Sequence, residues 1–79
     1  MTHALLPAAK IEIVDSLRER CDRCDAAAKL AMDLAAGGDL AFCGHHANRY
    51  AIDILRASRR VFVLRDFPWL GTAAGNDGE

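Results

Sequence analysis

The chain has 79 residues, three cysteines, and ten basic against eleven acidic side chains, for a formal charge of −1. That length holds one small domain whose apolar core alone leaves little margin, so a covalent or metal staple is expected. Three cysteines cannot pair off as a disulfide framework, no apolar run approaches the roughly 18 residues of a membrane span, and no apolar leader precedes the domain; the expected setting is the reducing cytoplasm, without a membrane partner.

Residues 1–10, "MTHALLPAAK", read as a flexible lead-in, because Pro7 stops a regular helix and His3 is a tail residue. Residues 11–70 are the expected domain. Its first stretch, "KIEIVDSLRER", is ambiguous between an alternating strand (Ile11, Ile13) and a short helix (Ile13, Val14, Leu17), with the balance toward an extended segment turning into Cys21. From Ala27 to Phe42, Leu30, Met32 and Leu34 alternate with Ala31 and Asp33. The glycines of "AAGGD" then supply a turn, and "LAF" resumes the apolar pattern. This predicts a β-hairpin.

After Cys43, "GHHANRYAIDILRASRR" places Ala47, Tyr50, Ala51, Ile54, Leu55 and Ser58 three and four apart, the stripe of one amphipathic helix. Arg56, Arg59 and Arg60 are expected near its end, where they suit the negative pole of the helix dipole. "RRVFVLRDFPWLG" then changes period. Val61, Val63 and Arg65 fall on one side of an additional C-terminal strand and Phe62 and Leu64 on the other, with Pro68 ending it. Phe67, Trp69 and Leu70 form an apolar knot, expected to fold back on the domain. Residues 71–79 have the composition of a disordered tail.

The chemistry-bearing residues are Cys21, Cys24, Cys43 and His46, spaced C-x2-C, eighteen residues, C-x2-H. Two thiolates two residues apart converge from a tight turn, and a cysteine just before a helix shares one side of its first turn with a histidine three residues on. Four such donors favour tetrahedral Zn2+. His45, about 200° around the helix from Cys43, points away if the helix begins at Gly44; a non-helical start reopens the choice. Asp22, Arg23 and Asp25 flank the knuckle and are expected in solvent, with Arg23 an alternative donor to a thiolate. Three thiolates around one divalent ion leave about −1, which N–H groups at the helix start offset.

Knuckle, hairpin and ligand-bearing helix, in that order, resemble the treble-clef zinc fold. "RCDRC", the hairpin ending "GGDLAFCGHH" and the helix after it resemble more closely a family of small actinobacterial and actinobacteriophage proteins of unknown function. The likeness covers about residues 19–57. It implies Cys21, Cys24, Cys43 and His46 as zinc ligands and implies no activity. The expected fold is therefore a small α+β, zinc-stapled domain.

Four protein ligands close an ion's coordination, and the hairpin lacks the histidine that HNH-type nucleases carry on a treble clef, so catalysis is not expected. Two roles remain. One is a protein-binding adaptor or regulator acting on a larger assembly such as transcription machinery, with Phe62, Leu64, Phe67 and Trp69 meeting the partner, or with an exposed strand pairing to a second copy. The alternative is nucleic-acid binding through Arg49, Arg56, Arg59, Arg60 and Arg65, which face only Asp53 over residues 49–65.

Overall fold

The computed structural model describes residues 9–72. The lead-in and tail expected from the sequence lie, for residues 1–8 and 73–79, outside the described residues. Within residues 10–64, four strands and two short helices follow one another as β1 (Lys10–Val14), β2 (Leu30–Leu34), β3 (Asp39–Phe42), α1 (Gly44–Arg49), α2 (Ala51–Ala57) and β4 (Ser58–Leu64). The strands form one sheet in the order β1-β4-β2-β3.

The hairpin predicted from alternation is present, with Leu30 opposite Phe42 and Met32 opposite Leu40. Its turn needs glycine, because Gly37 and Gly38 take φ of 110° and 89°. The ambiguous stretch is extended as β1, which runs parallel to β4 with Ile11 beside Val61 and Ile13 beside Val63. A parallel pair needs a long crossover. Here knuckle, hairpin and helices together make it.

β4 is not an outlying strand: it lies between β1 and β2, paired on both sides. Its own alternation follows the sequence, since Val61 and Val63 are buried and Phe62 and Leu64 are half-buried on the opposite face. The strand ends at Leu64, ahead of Pro68, in a turn in which the Phe67 N–H donates to the Leu64 carbonyl. Arg65 lies past its end.

The single helix expected over residues 44–60 is two helices meeting at Tyr50, and the second stops at Ala57. Arg59 and Arg60 therefore belong to β4, and only Arg56 stands in the last turn of α2. Competition from the sheet explains this. Ser58 pairs with Leu34 and Arg60 with Asp33, across a bulge, and Arg60 also sits beside Lys10. The Ser58 hydroxyl, buried as the stripe required, turns back to donate to the Ile54 carbonyl.

The core fills one face of the sheet. Leu30, Met32, Val61 and Val63 meet Ala47, Ala51 and Ile54 from the helices, together with Cys21, Phe42 and Trp69. Trp69 is the closing piece. Its Nε1–H donates to the Ala47 carbonyl at 2.8 Å, and the next residue, Leu70, donates its N–H to Asn48 Oδ1 at 2.8 Å. The expectation that the apolar knot folds back is met for Trp69, whereas Leu70 is exposed.

That closure makes one glycine indispensable: a Cβ at buried Gly71 would run into the Trp69 indole, which the core holds in place. Gly71→Ala should cost about 1–3 kcal/mol through overpacking, and Trp69→Ala about 3–5 kcal/mol through the cavity left. Denaturant unfolding of each variant against wild type checks both values.

Candidate metal centre

The knuckle is a tight turn. Cys21 N–H donates to the Ala26 carbonyl at 2.7 Å, and Asp25 N–H to the Cys21 carbonyl at 2.8 Å. Closing it places Asp25 at φ 69°, a left-handed conformation that aspartate tolerates better than most residues. The turn brings Cys21 and Cys24 to the same point. Arg23 donates there too, but through its backbone N–H, 3.4 Å from Cys21 Sγ.

The second pair comes from the start of α1, where Cys43 is the N-cap residue in extended conformation and His46 follows at the third helical position. N-cap and third position face each other in a capping box. Here a thiol and an imidazole occupy those positions, with Cys43 Sγ 3.3 Å from His46 Nδ1.

The four donor atoms lie within 4.8 Å of one another. Cys21 Sγ is 3.5 Å from His46 Nδ1, and Cys24 Sγ is 3.8 Å from Cys43 Sγ. An ion bound tetrahedrally, with bonds of about 2.3 Å to sulfur and about 2.0 Å to nitrogen, requires edges of about 3.8 Å between sulfurs and about 3.5 Å from sulfur to nitrogen. The spacings fit a metal ion. The helix begins at Gly44, His45 is exposed and outside the cluster, and the choice between the two histidines falls on His46.

Electrostatics at the cluster are uneven. Burial pushes the Cys21 thiol up, but N–H groups of Cys43, Arg23 and Cys24 and the Cys24 side chain outweigh it and hold the thiol at about 6. Cys24 goes the other way. The Ala26 N–H lowers it, yet desolvation, the neighbouring sulfurs of Cys21 and Cys43 and the Cys21 charge together raise it. Crowded thiols resist joint ionisation unless a cation sits among them.

Two supporting residues were not legible in the sequence. Asp22, expected in solvent, accepts from the Ala41 N–H at 2.7 Å and donates its own N–H to the Ala41 carbonyl at 2.9 Å, so the knuckle is tied to the outer edge of β3. No short-range signal marks a contact nineteen positions away. Tyr50, placed in the core by its spacing, is half-buried and lays its ring flat against His46, with centroids 6.0 Å apart and planes 9° apart. The guanidinium of Arg23 stands 5.6 Å over the other ring partner, Tyr50 itself.

The remaining candidates are scattered. Arg49, Arg56, Arg59, Arg60 and Arg65 are all exposed, but Arg60 faces Glu12 at 3.9 Å and Arg65 pairs with Asp15 at 2.7 Å. Among the residues expected to meet a partner, Trp69 is only 3% exposed and its place is the core. Phe67 is half-buried over Gly44, and Phe62 and Leu64 share the outer face of the sheet.

Residues 15–68 match the family model described as a domain of unknown function (DUF7455), and the chain belongs to that family. No curated protein and no solved structure matches it. The matched span begins just after β1 and includes all four donors.

Serine at Cys21, Cys24 or Cys43, or alanine at His46, should lower metal affinity sharply, whereas His45→Ala should retain it; titration with a chromophoric competitor distinguishes them. Because the Cys24 thiol is raised, loading at pH 7 should release about one proton or more, and affinity should fall on acidification. A weakly buffered titration with a pH indicator reads this directly.

Proposed function

We propose that the chain is a non-enzymatic, zinc-stabilised module that presents the outer face of its sheet to a protein partner. The observation carrying this reading is the four-donor cluster at tetrahedral spacing. Three thiolates and an imidazole favour zinc over harder ions, and with all four positions taken by protein no site is left for a reacting water. The order knuckle, hairpin, ligand-bearing helix supports a treble-clef arrangement of these parts. Three free thiols suit the reducing cytoplasm.

Zinc in sites of this kind contributes on the order of 10 kcal/mol or more of apparent folding free energy, more than a core of this size supplies. The ion's role is then to hold a surface rigid. That surface is the face opposite the core, which carries half-buried Phe62 and Leu64 and where Phe62, Val14, Leu17 and Ala31 are among the apolar lining of an open groove of ≈ 500 Å³. Asp22, Asp33, Asp39 and Glu19 also line it, against Arg20. A face of that charge suits a basic protein segment and opposes a phosphate backbone. With Arg60 and Arg65 already beside carboxylates, the nucleic-acid alternative has less support than the protein-binding one.

Purified protein should contain one zinc per chain by mass spectrometry, and strong chelation should abolish its cooperative thermal transition. An unchanged melt after complete metal removal sinks the stapling role. Phe62→Glu with Leu64→Glu should leave zinc content and circular dichroism intact while eliminating the partner cross-linked by wild type. Retention of that partner, or a salt-sensitive shift of nucleic acid by wild type, overturns the assignment of the face.

A further inference from the structure

We infer that β1 is a self-recognition edge, pairing antiparallel with β1 of a second copy and joining two sheets into one. The two outer strands of the sheet are not equivalent. β3 has its outer edge engaged by both backbone and carboxylate of Asp22. Among the described residues, no strand pairs with the outer edge of β1.

The backbone phase of that edge follows from one bond. Val14 accepts through its carbonyl from Arg65 N–H at 2.8 Å, so Val14 faces the β4 side. Alternate residues of a strand turn their polar groups to opposite sides. Lys10 and Glu12 therefore face β4 with Val14, while the N–H and C=O of Ile11 and Ile13 point outward. Side chains add to this. Ile13 is 50% exposed, although its register partner Val63 is buried in the core.

Charge selects both the occupant and the register. With Ile11 opposite Ile11 of the second copy, the two exchange backbone hydrogen bonds, and Lys10 of each chain stands directly across from Glu12 of the other. Opposite charges in such closely spaced pairs attract, and like charges repel. Sliding so that Ile11 meets Ile13 sets Glu12 against Glu12, and centring on Ile13 leaves Lys10 without an acid. One register satisfies both the backbone phase and the charges. The contact is two-fold and closes on itself. It uses the backbone edge of β1, whereas the groove lies on the sheet's outer face and shares with that strand only Val14; failure of the dimer leaves the proposed module standing, and the reverse also holds.

Sedimentation equilibrium of the zinc-loaded full chain, at concentrations up to roughly 1 mM, tests it, since a strand of this length alone gives weak association. The mass should rise toward a dimer with concentration. Ile11→Pro removes an outward N–H that no strand among the described residues accepts, and should weaken the dimer at least about tenfold with zinc content and circular dichroism retained. Lys10→Glu should weaken it also, and Lys10→Glu with Glu12→Lys should restore it; this series stands even if the proline variant fails to fold. Isotope-filtered nuclear Overhauser contacts from Lys10 Hα to Glu12 Hα of the second copy fix the register. A strictly monomeric chain at the highest concentration, including one whose Ile11 and Ile13 amides are protected by its own residues 1–8, overturns the inference, as does a dimer indifferent to the charge series.

Discussion

The fold depends on two segments being brought to one point. Cys21 and Cys24 sit in a turn that has no strand or helix of its own, and Cys43 and His46 sit where the hairpin passes into α1. An ion held by all four would close a loop of about twenty residues, whose entropy a small core is poorly placed to offset. Asp22, between Cys21 and Cys24, is hydrogen-bonded to Ala41 in β3. The donor cluster therefore joins the knuckle, the end of the hairpin and the start of the helix at one place.

The sheet shows why such a clamp matters. β4, the last strand, lies in the interior of the sheet and pairs with β1, the first, across nearly the whole described chain. Contacts so distant in sequence reward the chain only after most of its conformational freedom is lost. The hairpin is the local element onto which β4 docks, and the Cys/His cluster lies where the hairpin passes into the helices that lead to β4. Trp69 completes the arrangement by reaching back to a last-turn carbonyl of α1, a group short of intrahelical partners.

What the sequence revealed and what it hid divide along the same line. Local signals were strong: paired glycines at positive φ mark the hairpin, valine alternation marks β4, and the C-x2-C and C-x2-H spacings mark all four donors. Partner-dependent features were weak. Ser58, Arg59 and Arg60 continue a helical stripe as readily as they begin a strand, and only the pairings to Leu34, Asp33 and Lys10 decide it. The break at Tyr50 carries no glycine or proline to announce it. The central place of β4 was likewise invisible, because the extended stretch that flanks it lies some fifty residues earlier and reads on its own as strand or helix. Partner assignment suffered accordingly. Trp69 was expected to fold back with its neighbours yet was also placed among the partner-facing residues, and a buried indole bond to Ala47 places it in the core.

The two sides of the domain carry different work. The face toward the helices is apolar and spent on the core, whereas the face away from them mixes half-buried Phe62 and Leu64 with carboxylates. The edges differ in the same manner. At β3, Asp22 supplies hydrogen bonds that a further strand would otherwise make, and the position of Asp22 follows from the thiols on either side of it. At β1 no such device operates among the described residues, and the alternation of Lys10 and Glu12 around Ile11 gives the strand a pattern that matches itself in reverse. Asp22, beside the donor cluster, thus shields one border of the sheet from unwanted pairing, a hazard that exposed edges always carry. In the self-pairing proposed for β1, the one acid and one base of the strand are what would distinguish a single register from its neighbours.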